Sequence, residues 1–70
     1  MRRGNRGVKV LRKHENGITG IRVELTQKMT IAGRVIHAVV VTNMRSGRHT
    51  VIKAFDRIAD AFGFYKDALA

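Results

Sequence analysis

The sequence predicts an α+β fold: a three- to four-stranded antiparallel sheet packed on one C-terminal helix. Three observations carry this. Along residues 18–27, Ile21, Val23 and Leu25 alternate with Arg22, Glu24 and Thr26, the period of a strand with one buried face. Two β-branched runs, residues 35–41 and 50–52, flank the short polar segment Asn43-Met44-Arg45-Ser46-Gly47, which reads as a hairpin. From Asp56 onward the period lengthens, with Ile58, Phe62, Tyr65 and Leu69 at i, i+4, i+7 and i+11.

Taken in order, residues 1–7 hold three arginines, two glycines and one apolar residue, Met1. That composition predicts a flexible basic arm ahead of a single domain over residues 8–70. Val8, Val10 and Leu11, interleaved with Lys9, Arg12 and Lys13, predict a short first strand of imperfect alternation. Asn16-Gly17 then reads as a type I′ turn, because both residue types tolerate positive φ. Residues 29–33 connect the second and third strands, with Gly33 the turn residue.

The third strand is apolar on both faces apart from His37, as befits a central strand or one covered by a partner. It predicts either homodimerisation or an apolar contact with the ligand. In the final segment Asp56 is the candidate N-cap, Lys66 suits the C-terminal dipole, and Gly63 marks a kink or a later helix start. Ala61 and Ala68 widen the helical stripe, and Phe62, Phe64 and Tyr65 read as core.

Seventy residues make one domain with a modest core, so self-association or idealised packing must supplement it. Fourteen Lys and Arg against five Asp and Glu give a net charge of +9. The charge is uneven: residues 1–55 hold twelve basic and two acidic residues, while residues 56–70 hold two basic and three acidic. Such asymmetry points to a polyanionic partner, nucleic acid first and an anionic membrane surface second. No run approaches the ~18 apolar residues of a membrane span. The basic N-terminus lacks the apolar core of a secretory signal, so a cytoplasmic, nucleoid-associated location is expected.

Catalysis has little to stand on, and the chain reads as a non-enzyme without cofactor or metal. There is no cysteine, and His14, His37 and His49 are scattered without metal-ligand spacing. His37 reads as a satisfied core residue and His49 as a phosphate or base contact. Ser46, the only serine, has no nucleophile context.

Gly17-Ile18-Thr19-Gly20-Ile21-Arg22, Lys28, the β run, Ser46-Gly47-Arg48, Lys53-Ala54-Phe55 and an alanine-bearing helix together resemble the Apetala-type (ethylene-response-factor) DNA-binding domain. The resemblance spans about residues 15–69. It is closer to the short bacterial and phage versions and extends to the related N-terminal domain of tyrosine integrases. It implies a three-stranded sheet backed by one helix, with the sheet entering the DNA major groove. It also implies that Arg22 and Glu24 reach bases and phosphates, that His49, Val51 and Lys53 point outward from the last strand, and that Phe55 is the buried aromatic at the sheet–helix junction. The chain departs from the family in having no tryptophan and an apolar middle strand.

The sequence therefore predicts a small basic DNA-binding protein, a regulator or accessory factor of a phage or mobile element. Arg22, Glu24, Thr26, Lys28, Arg34, Arg45, Arg48, His49 and Lys53 are the expected contacts, with Arg2, Arg3, Arg6 and Lys9 as a phosphate-binding arm. Duplex DNA is favoured over RNA, because the strands lack aromatics for stacking bases. The rival readings are RNA or ribosome binding, and a protein-interaction module or inhibitor using the apolar middle strand.

Overall fold

Alternation, turn residues and the lengthened period each become an element in the computed structural model, which describes residues 8–69. Four strands, β1 (Val8–Asn16), β2 (Ile21–Met29), β3 (Val35–Asn43) and β4 (Arg48–Phe55), precede one helix, α1 (Ile58–Leu69). The strands form a single antiparallel sheet in the order β1-β2-β3-β4. Short connections make this meander the direct outcome, since each strand pairs with its neighbour in sequence.

The β1–β2 and β3–β4 turns share one device. Each opens on an asparagine and closes four residues later on a glycine. The Gly20 amide donates to the Asn16 carbonyl at 2.8 Å, and the Gly47 amide to the Asn43 carbonyl at 2.7 Å. The asparagine side chains accept from the amides inside each turn: Ile18 and Thr19 donate to Asn16 Oδ1, Arg45 and Ser46 to Asn43 Oδ1. Gly20 and Gly47 close the turns at φ of 73° and 75°. The two-residue turn expected at Asn16-Gly17 is thus a longer loop. Asn16 spends its side chain on local amides, and the left-handed position falls to Gly20.

Two bulges govern which side chains share a face. Val10 pairs with Thr26 and Arg12 with Leu25, which leaves Leu11 as the extra residue in β1. Val41 pairs with Val51 and Thr42 with His49, which leaves Thr50 as the extra residue in β4. The first bulge explains the imperfect alternation of residues 8–13.

The core lies between α1 and one sheet face. Val23, Leu25 and Val39 meet Ala61 and Tyr65, with Leu11, Ile21, Val41, Phe55 and Phe64 packed around them. Val39 and Ala61 are wholly inaccessible. The helix is rotated from the stripe expected of it: Ala61 and Tyr65 form its buried line, and Ile58, Phe62 and Leu69 lie on a partly exposed flank. Small Ala61 permits close approach to the sheet, and the Phe55–Phe64 ring contact, 5.6 Å between centroids, anchors the other flank. The helix runs unbroken through Gly63. The Asp56 carboxylate accepts from Arg34 Nη2 at 2.9 Å, and α1 opens two residues later than Asp56. The expected N-cap carboxylate is therefore engaged in an ion pair that joins the β2–β3 turn to the sheet–helix junction. The result is a two-layer slab with extents of 39 × 32 × 16 Å.

Candidate nucleic-acid interface

Side chains opposite each other in a ladder share a face, so the register sorts every charged residue of the sheet. Opposite the helix lie four rows running across the strands. The first is Glu15, Arg22, Thr42 and His49; the second is Lys13, Glu24, Val40 and Ile52. The third is Val10, Thr26, Ala38 and Ala54; the fourth is Val8, Lys28 and Ile36.

Five of the nine expected contacts therefore come together on this helix-free face: Arg22, Glu24, Thr26, Lys28 and His49. Four of them are already engaged. Arg22 Nη1 lies 3.5 Å from Glu15 Oε2, and its Nε lies 3.5 Å from Glu24 Oε1, a charge contact without an aligned hydrogen bond. Thr26 is buried and its hydroxyl donates to the Ala38 carbonyl at 3.1 Å. His49 Nδ1 and the buried Thr42 hydroxyl share a hydrogen bond of 3.0 Å. Lys28 is exposed and free of such partners among the described residues.

The other four lie elsewhere. Arg34, in the β2–β3 turn, is paired to Asp56. Arg45, in the β3–β4 turn, donates through Nη2 to the Ile18 carbonyl at 3.1 Å and lies against Gly20, which ties the two adjacent turns together. Arg48 pairs with Asn43 at the head of β4, in a row on the helix side. Lys53 is also on the helix side, its Nζ 5.7 Å from the Phe64 ring centroid and 6.0 Å from that of Phe55. The outward group His49, Val51 and Lys53 is thus split. The Thr50 bulge turns His49 to the helix-free side while Val51 and Lys53 stay on the other.

Arg2, Arg3 and Arg6 lie outside the described residues. Lys9 belongs to β1 rather than to an arm, opposite Gln27. Beside it the structure adds cations that the sequence reading passed over: Arg12 and Lys13, with His14 next to them, all exposed on the sheet's outer strand. The signal was present, since residues 9–14 hold four basic side chains in six positions. Arg12 lies on the helix side and Lys13 on the helix-free side, and the Leu11 bulge puts Lys9 on the side opposite Lys13, so the cations straddle the edge.

Electrostatically, the sheet and its turns divide in two. Arg22 and Arg34 have carboxylate partners. Lys9, Arg12, Lys13, Lys28, Arg45, Arg48 and Lys53 are exposed and have none among the described residues. His37 is buried on the helix side, and its Nδ1 has no hydrogen-bond partner among the described residues. Its cross-strand neighbours are Gln27 and Phe55, and neither pairs with Nδ1, so the satisfied core histidine expected here is buried with that nitrogen unpaired. Among the described residues no three His, Asp or Glu side chains converge as a metal site, and no helix is long and apolar enough to cross a membrane.

The chain matches no protein-family model, and neither a curated protein nor a solved structure matches it significantly.

Proposed function

We propose that this chain is a small nucleic-acid-binding protein, with duplex DNA as the favoured ligand, that engages phosphates mainly through the β1 edge and the ends of the sheet. The observation that carries the reading is the set of seven exposed cations of the sheet and turns without carboxylate partners. Lysines and arginines in that condition neutralise phosphates without first breaking an ion pair. Duplex is preferred to single strands because Phe55 is the only aromatic residue in the strands, and it is engaged with Phe64. A sheet backed by one helix is compatible with the Apetala-type arrangement, with one strand more; kinship with that family rests on the short motifs alone. Association with nucleoid DNA as a regulator or accessory factor follows from the same reading.

Two docking modes compete. Insertion of the helix-free face into the major groove would use Arg22, which Glu15 and Glu24 already hold. Edge docking uses Lys9, Arg12 and Lys13, which are unengaged.

The test is fluorescence anisotropy against duplex DNA across a salt series. Affinity should fall steeply with salt, and replacing Lys9, Arg12 and Lys13 by alanine should flatten the log–log slope by about 1 per lost phosphate contact. Arg22→Ala should weaken binding less than that triple replacement; the reverse order selects groove insertion. Binding that is absent, or indifferent to salt, overturns the proposal. Competition with single- and double-stranded RNA decides the RNA alternative.

A further inference from the structure

We infer that the helix-free face of the sheet, centred on β3 and β4, is the docking surface for a second copy of this chain, an interface separate from the Lys9 and Arg12 cations on the helix side of β1. Five apolar side chains lie side by side on that face across β3 and β4, Ile36, Ala38, Val40, Ile52 and Ala54, and Val8 and Val10 of β1 lie beyond the polar β2 row of Arg22, Glu24, Thr26 and Lys28. Ile52 is 64% exposed and Val10 51%. Single exposed aliphatics are ordinary, but a contiguous patch of this kind marks an interaction surface.

Charge selects the occupant. The face carries three cations, Lys13, Arg22 and Lys28, against two carboxylates, Glu15 and Glu24. Arg22 is within 3.5 Å of both glutamates, and Lys13 stands opposite Glu24 in the register. On a chain of net charge +9, this face is nearly neutral and internally compensated. A polyanion gains least here. A second copy, repelled by like charge along the β1 edge, meets the least repulsion here and finds an apolar surface equal to its own.

Area agrees. Four strands ~4.8 Å apart, with ~8 residues each at ~3.3 Å, present a projected face of about 500 Å². Two such faces together reach about 1,000 Å², and pleating raises the accessible area above the projected value, into the lower range of specific interfaces. Packing two sheets face to face about a two-fold axis gives a helix–sheet–sheet–helix sandwich. The second core so formed supplements a first core of five buried apolar residues among the described residues. Lys9 and Arg12, on the helix side of β1, and Arg45, in its turn, are left clear.

The experiment is sedimentation equilibrium of the full chain in 0.5 M salt over a wide concentration range. The parent should reach twice the 7.8 kDa monomer mass. Ile52→Lys should weaken association about 100-fold or more, because two-fold symmetry removes two buried isoleucines and inserts two charges. Val51→Lys, on the opposite side of the same strand, should leave the dimer intact. Ile52 is exposed in the single chain, so its replacement leaves the monomer's core untouched, and circular dichroism verifies this. A parent that stays monomeric at every concentration overturns the inference. So does an Ile52→Lys variant that dimerises as the parent does, or a dimer lost with Val51→Lys instead, which would signal pairing through another surface.

Discussion

At the scale of single residues, Gly20 and Gly63 face opposite demands. Gly20 sits at φ 73°, and a Cβ there would meet the Arg45 guanidinium at 3.2 Å. Alanine would incur left-handed strain and push Arg45 off the Ile18 carbonyl, which loosens the join between the two turns. Gly20→Ala should cost about 1–2 kcal/mol, read as a lower urea midpoint at unchanged m-value. Gly63 lies mid-helix, and a Cβ there meets nothing within 4 Å. Gly63→Ala should stabilise by about 0.5–1 kcal/mol, since alanine restricts the unfolded chain and favours the helix. Equal effects of the two replacements would contradict the turn geometry described above. Asp56 teaches a related lesson. Its carboxylate looked like a helix cap because it precedes an apolar period, but Arg34, 22 residues earlier in the chain, takes it. Both partners of that pair are about two-thirds exposed, so it contributes no more than about 1 kcal/mol.

At the scale of elements, the helix is held to the sheet by a small residue. Ala61 is wholly buried against Val23, Leu25 and Val39, and Tyr65 follows one turn later. Ala61→Leu should therefore overpack the contact, lift α1 and cost about 1–3 kcal/mol in chemical denaturation. The same replacement at Ala59, on the exposed side, should be near neutral; similar losses at both would mean that α1 is not seated on Ala61. The strands show how a single extra residue reassigns function. With the Thr50 bulge, His49 and Lys53 face opposite sides of β4; with the Leu11 bulge, Lys9 and Lys13 face opposite sides of β1. Strict alternation would have grouped them otherwise.

At the scale of the whole molecule, charge and apolar surface occupy different places, and salt should act on them in opposite directions. Nucleic-acid binding through unpaired cations releases counterions and weakens as salt rises. Self-association of copies carrying +9 each is opposed by repulsion, which salt screens over a Debye length of about 10 Å at 0.1 M, so dimerisation should tighten. Measuring both constants between 0.05 and ~0.5 M salt checks this. If both weaken together, the dimer contact is ionic rather than apolar. The two activities are separable, since Ile52→Lys addresses the dimer face, and replacing Lys9 and Arg12, on the helix side of β1, addresses phosphate binding alone.

The sequence by itself determined the antiparallel sheet, the terminal helix and the charge imbalance. Period-two and longer apolar spacings are local properties of the chain, and net charge is independent of how it folds. It also marked β3 as apolar on both faces, which is how the helix-free patch first became visible. What only the tertiary structure decided was partnership. Glu15 and Glu24 claim Arg22, Asp56 claims Arg34, and Ile18 claims Arg45, each through contacts that depend on strand register or on the juxtaposition of distant turns. The two bulges, which shift that register by one residue, leave no local signature beyond an irregular alternation. They put Lys9 and Lys13 on opposite sides of β1, and His49 and Lys53 on opposite sides of β4, so the free cations are divided between the two faces instead of gathered on the open one.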